Sequence, residues 1–260
     1  MNIINIGLVQ MRCEKGALDD NLAAIQSYLQ EAASRNVDLL CFPEMSITGY
    51  ANPQTNPRAI LHLDGPEIAR FLAMTQHIPV TAIAGLIEAN PAGKPFITQI
   101  VAHGGKLLSV YRKKTIAEDE KDWFAPGTTV QVVEHPATTF GIAICADIDT
   151  SEIFAEQARQ GASIIFEAAA PGLYGSQQTR NWRSGYEWWQ SECHQKLGQY
   201  ARENGIFIAV ATQAGRTSDE DFPGGGYVFG PDGACLLSTE DWSEGVLYFA
   251  IHSCSERMGA

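Results

Sequence analysis

The chain has 260 residues, 45% of them hydrophobic and 18% charged, with no low-complexity tract or Ser/Gly/Pro-rich linker. This composition suits one α/β domain over residues 1–260 with a substantial core better than a disordered or modular chain. Eighteen Lys+Arg against 30 Asp+Glu leave a formal charge of -12; with no basic patch to offset it, neither nucleic acid nor an anionic membrane is an expected partner.

The opening "MNIINIGLVQ" lacks a cationic lead and a long apolar run, and no uninterrupted spanning segment follows, so a cytoplasmic location is expected. "NIINIGLVQM" reads as a first strand and "DDNLAAIQSYLQEAASRN" as a helix with apolar residues at helical spacing. "VDLLCFPE" is the next strand, "GPEIARFLAMTQH" a helix with Pro66 near its first turn, and "IPVTAIAGLIEA" a further strand. "FITQIVAHGGKLLSVYRKK" contains two β-rich runs around Gly104-Gly105, a hairpin signal.

The alternation then resumes. "TTFGIAIC" is a strand, "SEIFAEQARQG" a helix closed by Gly161, "ASIIFEAA" a strand, "WWQSECHQKLGQYAREN" a helix and "IFIAVATQAG" a strand. "GGGYVFGPDGACLLS" and "GVLYFAI" are β, with a Pro-Asp-Gly turn at 231–233. The halves echo each other: in each, a helix leads to a strand ending at an acid, Glu44 or Glu167, which suggests two similar α-β layers packed face to face.

Three groups stand at the ends of such strands. Glu44 in "LLCFPEMSITGYA" is either an acid turned to water or a carboxylate held where α/β proteins assemble their sites. Cys145 in "GIAICAD" is either a packing thiol or a nucleophile at a strand-to-helix turn, where backbone N–H groups stabilise a thiolate and a developing oxyanion. Lys113 in "VYRKKTIAEDE" reads on its own as a basic turn, and Glu118, Asp119 and Glu120 as an acidic surface loop. The six cysteines, at 13, 41, 145, 193, 235 and 254, lack CxxC spacing and suit free thiols rather than a disulfide frame or a zinc site. The six histidines have no ligand spacing and read as surface or packing residues.

Taken together, the order and setting resemble the nitrilase (carbon-nitrogen hydrolase) superfamily. "LLCFPEMSITGY" is similar to its strand ending in Pro-Glu with Thr-Gly-Tyr beyond, "YRK" at 111–113 to its lysine motif, and "GIAICADIDTSE", with Asp147 and Glu152, to its cysteine motif. "EKDWFAPG" resembles the segment of its second glutamate and points to Glu120. The likeness runs from "GLVQM" to "FGPDG". It implies a four-layer αββα sandwich, a Glu44-Lys113-Cys145 triad with Glu120 orienting Lys113 or the substrate, a backbone N–H near Ala146 for the oxyanion, no metal or organic cofactor, and at least a homodimer.

The chain departs from the family pattern at Ala146, where an aromatic residue is usual, at Thr150-Ser151 in place of Phe-Pro, and in the short stretch from Lys113 to Glu120. "NWRSGYEWWQ", residues 181–190, reads as an interface helix or as a substrate wall, with Arg183 placed to read a carboxylate and Trp182 and Tyr50 as further substrate contacts. The expected activity is hydrolysis of a small amide. N-carbamoyl or nitrile substrates, and a catalytically silent ligand-binding homologue, remain as alternatives.

Overall fold

The computed structural model describes residues 2–253, so Cys254 lies outside them. Strand β1 (Asn2–Gln10) leads through α1 (Leu18–Ser34) to β2 (Leu39–Cys41), a two-residue β3 (Ile60–Leu61), α2 (Pro66–Met74) and β4 (Thr81–Glu88), followed by the hairpin of β5 (Phe96–His103) and β6 (Lys106–Arg112). Next come β7 (Val132–His135), β8 (Thr138–Ile144), α3 (Ser151–Arg159), β9 (Ile164–Ala169), α4 (Trp182–Asn204) and β10 (Phe207–Thr212). The small pair β11 (Ala214–Arg216) and β12 (Asp221–Pro223), then β13 (Tyr227–Phe229), β14 (Cys235–Ser238) and β15 (Gly245–Ser253), complete the chain.

Local chemistry explains most of these boundaries. α1 buries Leu22, Ile25, Leu29 and Ala32 on one stripe and carries Asp19 and Asp20 in its first turn, where the helix dipole favours acids. The β5–β6 turn uses Gly104 and Gly105, both at positive φ, as a tight hairpin requires. α4 starts at Trp182, almost two turns before the helical run read from the sequence: the Asn181 side chain accepts the Ser184 N–H, and Gly205 closes the far end in the left-handed conformation.

Two sheets result. One runs β15-β1-β2-β4-β5-β6, with β3 paired to β4; the other runs β14-β13-β10-β9-β8-β7. Each centres on three parallel strands, β1, β2 and β4 in one and β8, β9 and β10 in the other, flanked by antiparallel neighbours. The echo between the halves is therefore a repeated topology.

The layers are held by three apolar seams. Ile6, Leu8, Ile83, Phe140, Ile142 and Phe166 lie between the sheets. Leu22, Ile25, Ile68 and Phe71 pack α1 and α2 on the first sheet, and Phe154, Trp189, Leu197 and Ile208 pack α3 and α4 on the second. This is the four-layer αββα sandwich. With both faces covered, β4 and β9 are buried at every residue, which is why they read as continuous apolar runs. No helix among the described residues is long and apolar enough to cross a membrane, and Cys13, Cys41, Cys145, Cys193 and Cys235 are free thiols.

Candidate active site

Glu44 does not lie on a strand. β2 stops at Cys41, and Phe42 to Thr48 turn over the middle of β4. Backbone and side-chain bonds fix that turn: Phe42 N–H donates to Ile83 O (2.8 Å), Ile47 N–H to Gly85 O (2.8 Å) and Gly85 N–H to Ser46 Oγ (2.9 Å). Met45 adopts φ 50°, and a Cβ on Gly85 would come within 2.3 Å of the Met45 nitrogen, so only glycine there lets the turn close on β4. The Glu44 carboxylate is fully buried, taking a bond from Lys113 Nζ on Oε1 (2.9 Å) and from the Ala170 N–H on Oε2 (3.0 Å).

Lys113 follows directly on β6. Far from being a solvated turn, it is 1% exposed and donates to Glu44 and to both oxygens of Glu120, at 2.9 and 2.8 Å. Glu120 belongs to a single 3-10 turn, Glu118–Glu120, that carries its carboxylate inward while Glu118 stays exposed. It also accepts the Tyr50 hydroxyl (2.6 Å) and the Ala117 N–H (3.0 Å). The acidic loop of the sequence thus supplies one buried member.

Cys145 occupies the tight turn between β8 and α3 at φ 45°, a left-handed conformation that costs a non-glycine residue of the order of 1–3 kcal/mol and tends to be kept where function needs it. Asp147 braces the turn. Its buried carboxylate accepts the Ile144 N–H (3.0 Å), the Tyr111 hydroxyl (2.8 Å) and the N–H groups of Lys114 (3.1 Å) and Thr115 (2.7 Å). One side chain therefore ties the Cys145 turn to the end of β6 and fixes the thiol relative to Lys113. The sequence motif contained Asp147 without revealing this brace; an acid two residues into a strand-to-helix turn was the available signal.

Electrostatics follow from burial. Loss of water raises the Glu44 carboxyl, Lys113 pulls it back, and it settles at about 7. Burial acts to lower the Lys113 ammonium, but Glu44, Cys145 and Glu120 outweigh it and hold the pKa well above the ordinary lysine value. Burial and the neighbouring Glu44 raise the Cys145 thiol well above its usual range despite Lys113. At rest the site holds a neutral thiol beside a carboxyl that ionises near neutrality.

Glu167 has a different place from its sequence counterpart Glu44. It sits within β9, fully buried, and neither oxygen has a hydrogen-bond partner among the described residues. Burial, then the charges of Asp147 and Glu44, push its carboxyl well above the usual range, against the opposing pull of Lys113.

A cavity of about 290 Å³ opens onto the cluster, lined by Tyr50, Lys113, Glu120, Cys145 and Ala146 together with the Ala170–Tyr174 segment. The structure thus brings together Glu44, Lys113, Glu120 and Cys145, with Ala146 and Tyr50 at the wall. It does not bring Trp182 or Arg183 there: neither lines this cavity, Arg183 is 72% exposed and pairs with Glu187 at 3.7 Å, and Trp182 lies 5.9 Å under the Arg216 guanidinium. From the same helix it is Trp188 and Trp189 that reach the cavity. Among the described residues no group of three or more His, Cys, Asp or Glu side chains is arranged to hold a metal ion.

Two sheets back to back, with a thiol turn at the end of one and a lysine-carboxylate cluster at the end of the other, define the nitrilase type of αββα sandwich. The chain belongs to the carbon-nitrogen hydrolase family, whose model matches residues 5–256. It is 23% identical over 253 residues to a glutamine-dependent NAD(+) synthetase of Acinetobacter baylyi, covering 95% of this chain but only 44% of that relative's length. A probable nitrilase of Schizosaccharomyces pombe is 25% identical over 253 residues, with 95% and 88% covered. Among solved structures, a mutant of an amidase of the nitrilase superfamily from Nesterenkonia superposes with a TM-score of 0.81 at 22% identity, over 95% of this chain and 90% of that one.

Proposed function

We propose that the chain is a thiol-dependent hydrolase of non-peptide carbon-nitrogen bonds, acting on a small amide through a Cys145 thioester. The observation that carries this reading is Lys113 Nζ held between Glu44 and Glu120, all buried, at the wall of the cavity that Cys145 shares. A binding module has no use for a buried cation clamped beside a thiol and a carboxyl that ionises at about 7.

In this reading Glu44, as carboxylate, takes the Sγ proton while sulfur attacks the carbonyl carbon. The carbonyl electron pair moves onto oxygen, where the Lys113 ammonium and the Ala146 N–H stabilise it; the first N–H groups of a helical turn lack intrahelical partners and are free for this task. The intermediate collapses, the C–N bond breaks, and Glu44 returns its proton to the departing nitrogen, leaving ammonia and a thioester. Glu44 then deprotonates water, which attacks the thioester; the C–S bond breaks and the thiol is protonated again. The net change is amide plus water to carboxylic acid plus ammonia. Glu120, braced by Tyr50, keeps Lys113 aimed, and losing one oxyanion donor costs about 3 kcal/mol of transition-state stabilisation.

An amide suits this site because its leaving nitrogen needs a proton and Glu44 has just acquired one. The test is ammonia release from a panel of small amides, N-carbamoyl compounds and nitriles, run beside Cys145→Ala. Release from an amide that disappears in the variant is the expected result. Release confined to N-carbamoyl compounds or nitriles moves the substrate to that class, and silence across the panel from folded protein supports a ligand-binding homologue instead.

A further inference from the structure

We infer that the substrate's acyl chain ends in a positive charge, so that the preferred substrate is a short ω-amino amide rather than the ω-amide of a dicarboxylic acid. This rests on the amidase reading above. Beyond the Lys113 cluster, the charged residues in the cavity wall are Asp119, Asp149, Glu192, Glu220 and Lys196. Lys196 is already committed, donating to Asp149 Oδ1 at 2.7 Å and Glu192 Oε2 at 2.6 Å, so two carboxylates are satisfied by one ammonium. Asp119 has no ion pair among the described residues, and Lys15 meets Glu220 (2.8 Å) while also holding Asp219 (2.8 Å).

The neighbouring cavity, about 390 Å³, shares Gly172 to Tyr174 and Trp188 with the first and brings one further cation, Arg180. That guanidinium is spent as well, on Asp221 Oδ2 (3.0 Å) and on the carbonyls of Tyr174 and Gly175. A substrate carboxylate would therefore find no uncommitted cation in either wall and would face a surplus of like charge. An ammonium would find that surplus attractive, and the exposed ring of Trp188 offers a face for it. The volume, roughly ten waters at about 30 Å³ each, accommodates an acyl chain of a few carbons.

The test is kcat/KM for ammonia release from 5-aminopentanamide, its uncharged isostere hexanamide, and glutaramic acid. The expected order is cationic, neutral, anionic, with about tenfold or more between the first and last at low salt, shrinking in 1 M salt as charges are screened. Glu192→Gln is expected to narrow the cationic-to-neutral ratio about threefold. Turnover of hexanamide or glutaramic acid with no advantage for 5-aminopentanamide overturns the charge assignment while leaving the amidase reading intact. A preference indifferent to salt overturns it too, because shape would then be the cause. Silence from all three while another small amide is turned over overturns this inference alone; silence across the whole small-amide panel with folded protein removes the amidase reading as well.

Discussion

Glu44 ionises near neutrality because burial, which disfavours its charge, outweighs the pull of Lys113, which favours it at 2.9 Å. The sign of the consequence follows from the role proposed for it. A base must be deprotonated to accept the thiol proton, so kcat/KM should rise as pH increases through about 7 and level off above it. Glu44→Gln should lower kcat roughly a hundredfold to ten-thousandfold and remove that acid limb from any residual rate. A wild-type pH-rate profile flat across neutrality would exclude Glu44 as the titrating base. The choice between its two sequence readings, solvated acid or buried base, lay outside the local residues. Pro43 and Phe42 show that the chain leaves a strand, but burial depends on Lys113 and Ala170, 69 and 126 residues away.

At the scale of elements, the site depends on turns that are held from below. The Phe42–Thr48 turn rests on β4 at Gly85, whose missing side chain makes the approach possible. Gly85→Ala should therefore cost about 1–3 kcal/mol in denaturant unfolding and also reduce turnover, because the backbone that must give way carries Glu44. Gly93→Ala, where an added Cβ meets nothing within 4 Å, is the matched control and should stay within about 0.5 kcal/mol of wild type. Equal effects from the two would refute a special role for the Gly85 contact. Most strands and helices were legible from periodicity, since two covered faces leave continuous apolar runs and one covered face leaves a stripe. The short strands β3, β7 and β12 were not, and β11 reads only as a continuation of β10: so few residues carry too little period to mark a separate strand, and long-range pairing defines them.

At the scale of the whole molecule, the two halves share one seam. Phe140 and Phe166 pack edge to face at 5.5 Å in the same buried cluster as Ile6, Leu8 and Ile83 of the opposite sheet, and β15 returns from the end of the chain to pair along all of β1. Such a core should unfold once. Far-UV ellipticity and tryptophan fluorescence should give coincident denaturation curves in wild type and in Phe140→Ala, with the variant about 3–5 kcal/mol less stable. Two separated transitions would divide the chain into independent domains.

The sequence by itself determined the alternation of strands and helices, the repeat between the halves, and the three positions where acid, lysine and thiol stand near strand ends. These are local properties, written in hydrophobic period, turn residues and motif spacing. Only the tertiary structure decided that Glu120 is buried while Glu118 is not, that Asp147 braces the thiol turn against β6, and that Trp188 rather than Trp182 or Arg183 reaches the cavity. The reason is physical: burial, ion pairing and pKa depend on what other segments place within a few ångströms, and those segments are brought there by the packing of two sheets.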